Sequence, residues 1–138
     1  MASRYLLDTN ILSDLMRNPG GEVAHKISLL ATEDREMLST SVIVACELRF
    51  GAAKKRSALL EERVQQLLDN LIVLALEPEV DEHYGRLRAE LEQKGTPISA
   101  NDMLIAAHAL FLDAVLVTDN IREFRRVKRL RVENWLRT

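Results

Sequence analysis

Short apolar runs alternate with longer amphipathic stretches along the chain. Tyr5-Leu6-Leu7 predicts a strand ended by Asp8-Thr9-Asn10, and a short helix over roughly Ile11–Met16 stops at Asn18-Pro19-Gly20-Gly21. Val23, Ile27 and Leu30 fall at helical spacing, and Met37–Thr40 predicts a weak strand. Apolar residues three and four apart predict helices over Val42–Lys55 and Ala58–Leu71, followed by a strand over Ile72–Leu76. Val80–Lys94 has the pattern of a charged amphipathic helix, closed by Gly95-Thr96-Pro97. Ser99 opens a more apolar helix to about Leu112. A strand over Val115–Thr118, a short helix or turn from Asn120 to about Val127, and a last strand over Leu130–Trp135 complete the pattern.

Strands separated by helices imply parallel pairing, because a parallel crossover needs a dozen or more residues. The expected fold is therefore α/β: a three-layer sandwich around a central five-stranded parallel sheet, as one domain over residues 1–138. In such sheets ligands collect beyond the carboxyl ends of the strands, where strand order reverses. Acids that directly follow strands thus carry more weight than acids elsewhere.

Composition narrows the function classes. With 47% hydrophobic and 29% charged residues the chain is globular rather than disordered. A single cysteine, Cys46, cannot close an internal disulfide and suits a reducing compartment. Met1-Ala2-Ser3-Arg4 does not read as a secretion signal, and runs such as Leu71–Leu76 are too short to span a bilayer, so a cytoplasmic location without a membrane partner is expected. His25, His83 and His108 lack zinc-ligand spacing with Cys46, and His108 reads as packed rather than ligating. Net charge is only −2, yet Arg122, Arg125, Arg126, Lys128, Arg129, Arg131 and Arg137 crowd the C-terminus, and Lys54-Lys55-Arg56 forms a second cluster. These are either solvated surface or, if they converge in space, phosphate contacts.

Four acids stand out. Asp8 and Asp119 directly follow strands, Glu47 lies among Ile43, Val44, Cys46 and Leu48, and Asp102 opens the apolar helix. Each has a plain structural use. Asp8 fits a helix N-cap, Asp102 fits a capping box with Ser99, Asp119 fits a turn, and Glu47 fits a partly exposed outer face. Together at one strand edge they would form a carboxylate cup. Like charges about 4 Å apart repel by roughly 4 kcal/mol at an effective dielectric near 20, so such a cup calls for a hard cation, Mg2+ or alternatively Mn2+.

Four segments in this order carry a family resemblance: Leu6-Leu7-Asp8-Thr9-Asn10-Ile11, Ser41 to Gly51, Asp102 to Ala109, and Leu116 to Phe124. Over nearly the whole chain the sequence resembles PIN-domain ribonucleases, and among them the VapC-type toxins of bacterial toxin–antitoxin pairs. The resemblance implies strand order 3-2-1-4-5 and Mg2+-dependent endonucleolytic cleavage of structured RNA, with a tRNA loop as a candidate substrate. It also implies a homodimer and a cognate antitoxin. Asp8, Glu47 and Asp102 match the family's acidic metal positions. The family's fourth acid falls on Asn120, so either Asn120 or its neighbour Asp119 takes that place.

On this reading Thr9, Asn10 and Thr118 orient the carboxylates, and Arg49, Lys54, Lys55, Arg122 and Arg125 hold RNA phosphates. Partner contacts are expected from the faces containing Ile11, Leu12, Leu15 and Met16, and Leu59, Leu60, Val64, Leu67 and Leu68, unless these stripes are core. Two other readings stay open. One is a non-catalytic RNA-binding or protein-interaction module on the same fold, suggested by Asn120. The other is an aspartate-nucleophile phosphatase, which would need a second acid where Asn10 stands.

Overall fold

The computed structural model describes residues 4–31 and 37–136. In chain order the elements are β1 (Tyr5–Leu7), α1 (Thr9–Arg17), α2 (Glu22–Ala31), β2 (Leu38–Ser41), α3 (Val42–Lys55), α4 (Ala58–Asp69), β3 (Ile72–Leu74), α5 (Val80–Gln93), α6 (Ala100–Leu112), β4 (Val115–Val117), α7 (Ile121–Phe124) and β5 (Arg131–Glu133). The strands form one sheet in the order β3-β2-β1-β4-β5, every neighbouring pair parallel, with helices flanking it. The expected architecture and strand order are both present.

The central strands explain themselves. Leu6 and Leu7 of β1 and Leu116 and Val117 of β4 are fully buried, as strands covered on both faces must be. β2 is different. Its sequence is Leu38-Ser39-Thr40-Ser41, yet all four residues are buried. Each hydroxyl is satisfied: Ser39 donates to the Tyr5 carbonyl at 3.0 Å, Thr40 to the Leu7 carbonyl at 2.6 Å, and Ser41 caps α3 by accepting from the Ile43 N–H at 3.1 Å. A polar strand is tolerated inside the protein because it bonds its neighbour through side chains as well as backbone.

Local chemistry sets the helix ends. α1 begins at Thr9, earlier than the apolar pattern indicated, because the Asp8 side chain accepts from the Thr9 N–H. Ser57 and Ser99 cap α4 and α6 in the same manner. Gly95 follows α5 with φ +68°, a conformation glycine adopts without a Cβ penalty. Of the stripes expected to meet partners, Ile11, Leu12, Val64 and Leu68 lie in the core, whereas Leu59 is 58% exposed. No helix among the described residues is long and apolar enough to cross a membrane.

Candidate active site

β1 lies at the reversal of strand order, between β2 and β4, and Asp8 leaves its carboxyl end. The Asp8 N–H donates to the Val117 carbonyl at 2.9 Å, which extends the β1–β4 ladder and pins the residue at the junction. Its side chain accepts from the Thr9 N–H (2.8 Å) and from the Thr118 hydroxyl (2.7 Å). The helix-capping use and the site position therefore coincide in one residue. Asp8 is only 4% exposed. Burial pushes its carboxyl up to about 6; the bonds from Thr118 and Thr9 oppose this, and the charges of Asp102 and Glu47 add to it.

Glu47 is half-buried on α3, and its carboxylate accepts from the Thr9 hydroxyl at 2.6 Å. Thr9 thereby ties Asp8 to Glu47, through its backbone N–H on one side and its hydroxyl on the other. Asp102 stands in the first turn of α6, where its N–H donates to Ser99 Oγ at 3.2 Å. Burial raises its carboxyl; a Ser99 hydrogen bond lowers it, the charges of Glu47 and Glu123 raise it, and the Asn120 amide lowers it. The Thr118 hydroxyl is a hub: it donates to Asp8 and accepts from the Asn10 amide (3.3 Å) and the Asn120 N–H (3.0 Å).

Asp119 and Asn120 part ways. Asn120 donates its amide to Asp102 at 3.4 Å, while the Asp119 carboxylate accepts from Asn134 at 2.9 Å and its N–H donates to Asn10 Oδ1. Glu123, on α7, bears on Asp102 electrostatically. Sequence reading passed over this acid because it sits among arginines. The available signal was its spacing of three residues from Asn120, one helical turn along the same short element.

The expected cations are spread over different surfaces. Arg49 points to α4, where it donates to Gln65 at 3.0 Å, and Lys54 lies over the Phe50 ring, 6.0 Å from its centroid. Lys55 lines a cleft of about 300 Å3 that opens beside Thr9 and Glu47. Met16, Leu60 and Val64 supply apolar lining and Arg17 and Arg63 further cations, which the sequence did not single out. Arg122 and Arg125 are exposed on and just after α7. Arg137 lies outside the described residues.

The donor set has the chemistry of a hard-cation site. Its groups are carboxylates and amide oxygens, neighbouring carboxylates raise both Asp8 and Asp102, and among the described residues no Lys or Arg forms an ion pair with Asp8, Glu47, Asp102 or Glu123. The side chains as they stand are not drawn into a cage: among the described residues, no three His, Cys, Asp or Glu are grouped so as to hold a metal. Glu47 is instead turned onto the Thr9 hydroxyl.

The PIN domain family profile matches residues 5–130. Ribonuclease VapC2 of Rickettsia felis is 38% identical over 132 residues, covering 95% of this chain and 97% of that protein. The tRNA(fMet)-specific endonuclease VapC of Salmonella typhimurium is 34% identical over 136 residues, covering 96% of this chain and 98% of that one. The crystal structure of VapBC2 from Rickettsia felis bound to a fragment of promoter DNA contains a chain that superposes with TM-score 0.88 at 37% identity, covering 95% of this chain and 98% of that chain. With this sheet order, this acidic strand edge and these relatives, the chain belongs to the PIN domain family, on the branch of the VapC ribonucleases.

Proposed function

We propose that the protein is a divalent-cation-dependent endoribonuclease toxin that cuts structured RNA, with tRNA as its substrate class, and that a cognate antitoxin restrains it. The observation that carries this reading is that acids from separate elements are tied together at the carboxyl end of β1: Thr9 joins Asp8 to Glu47, and Thr118 with Asn120 joins Asp8 to Asp102, so that the charges of Asp102 and Glu47 oppose ionisation of Asp8. A fold stores such repulsion at a functional site more readily than elsewhere. The Salmonella relative, named for its tRNA substrate, supports the substrate class, and the VapBC complex supports the antitoxin.

Asp8, Glu47 and Asp102 would hold Mg2+ or Mn2+. When bound, the cation neutralises charge at the scissile phosphate and makes water a better nucleophile. The chain's own part is orientation. Thr118 and the Thr9 N–H fix both oxygens of Asp8, the Thr9 hydroxyl holds Glu47, and Asn120 holds Asp102. Glu123 is our candidate to position the water and accept its proton. Lys55, Arg17 and Arg63 in the cleft, and Arg122 on α7 with Arg125 just after it, supply positive charge for the RNA backbone. Lys54 adds to that field, while Arg49 acts on RNA only by releasing Gln65.

The non-catalytic alternative drew on Asn120 standing where the family has a fourth acid; Glu123, whose charge acts on Asp102, is a candidate to supply that acid and favours the catalytic reading. The phosphatase alternative has no second acid, and Asn10 in that place is bound to Thr118 and to the Asp119 N–H. For the antitoxin, the cleft beside Glu47 suits an acidic amphipathic segment, its apolar face on Met16, Leu60 and Val64. We retain a homodimer as the resting assembly, with exposed Phe50 and Leu59 as surface to cover; the scattering mass of the purified chain checks it.

The test is cleavage of a total tRNA pool, with RNA ends mapped after brief induction, for the wild type and for Asp8→Asn and Asp102→Asn. The expected result is discrete cation-dependent cuts and growth arrest from the wild type alone. Unchanged cutting by both variants overturns the reading.

A further inference from the structure

His108 is fully buried on α6, between the buried Ala107 and Ala109, and the scheme above makes no use of it. Its Nδ1 lies 2.8 Å from Ser41 Oγ. Ser41 ends β2 and caps α3, its oxygen already accepting from the Ile43 N–H. The hydroxyl then has one proton to give, and Nδ1 is the acceptor within reach. That arrangement puts the ring proton on Nε2. Burial lowers the basicity of the imidazole, against the Ala75 carbonyl and the charge of Glu77, which favour its protonated form. Nε2 makes no hydrogen bond of ordinary distance and angle, so the 2.8 Å contact to Ser41 is the ring's one close polar contact among the described residues.

The two elements so joined are the ones that carry Glu47 and Asp102, and α3 packs directly on α6. Glu47 lies six residues after Ser41, and Asp102 six residues before His108. We infer that His108 is a positioning residue: by accepting the Ser41 hydroxyl proton it ties α6 to the start of α3 and so holds Asp102 and Glu47 at their working separation. The inference rests on the nuclease reading above, which gives that separation its meaning.

Two variants separate positioning from packing. His108→Leu keeps an apolar volume but offers Ser41 no acceptor, whereas His108→Asn carries an oxygen that can take the place of Nδ1. Steady-state cleavage of a total tRNA pool with Mg2+, thermal melting and the ring 15N shifts are measured. The Leu variant still folds cooperatively, since removing the poorly paired Nε2 opposes the cost of leaving the Ser41 hydroxyl without an acceptor, yet it loses about 10-fold or more in kcat at unchanged KM, the scale expected for a small misplacement of reacting groups. The Asn variant recovers most of that loss, and the wild-type ring carries its proton on Nε2. Wild-type turnover by the Leu variant, an Asn variant as slow as Leu, or a proton on Nδ1 overturns the inference. If the Leu variant does not fold, the Asn variant and the ring shifts decide. A wild type that cuts no RNA with any cation overturns the nuclease reading instead, and the ring shifts then judge the Ser41 link alone.

Discussion

Burial of Asp8 at the β1–β4 junction gives it a folded-state pKa of about 6 against an ordinary 3.8. The folded protein therefore binds this proton more tightly than the unfolded chain does. The stability that comes with it is fully present below the unfolded value and is lost as pH rises through about 6, a change of about 3 kcal/mol at most. Urea melts across that range check the direction. Asp8→Asn removes the charge but keeps a capping oxygen, so at neutral pH the variant should be more stable than the wild type while failing to cut RNA. Mg2+ or Mn2+ at 100 times its Kd should stabilise the wild type by about 2.7 kcal/mol and the variant far less; equal shifts in melting temperature would place the cation elsewhere. Glu123 offers a second residue-level test. Glu123→Gln should slow cleavage about 100-fold, the usual lower range for a lost proton acceptor, and Asp119→Asn should slow it far less.

At the level of elements, what was legible followed from apolar patterning. The strands β1 and β4 are continuous apolar runs, and α3 spans Val42–Lys55 as the spacing indicated. β2 was harder, because its burial is offset by hydroxyl bonds to the Tyr5 and Leu7 carbonyls rather than by hydrophobicity. Three of the acids were legible as residues after strands or inside apolar helices. Glu123 was harder, since its electrostatic influence on Asp102 joins residues 21 apart and exists only in the folded chain. Thr40→Val tests the β2 account: it conserves shape, leaves the Leu7 carbonyl short of a partner, and should cost about 1–3 kcal/mol by denaturant titration.

For the molecule as a whole, the cleft between α1, α3 and α4 leads from solvent to Glu47 and joins two kinds of surface: apolar lining and the cations Arg17, Lys55 and Arg63. If it is where the antitoxin seats, Leu60→Lys with Arg63→Glu should weaken antitoxin binding by 10-fold or more, about 1.4 kcal/mol. Cleavage by the free toxin should keep its kcat, since neither residue contacts the acids, and should lose only the share of RNA affinity that Arg63 supplies. Calorimetry with the purified antitoxin, beside a cleavage assay, separates the two effects.

The sheet order has one more consequence, for how the protein is made. β1 is translated near the start, but its neighbour β4 and the Thr118 hydroxyl that holds Asp8 come only after residue 114, and Glu123 later still. A nascent chain halted after α6 thus carries Asp8, Glu47 and Asp102 without the strand that fixes the first of them. If the proposed nuclease site needs Asp8 held in this way, such an unfinished product cuts no RNA, and activity begins only once β4 and α7 have been made and have docked.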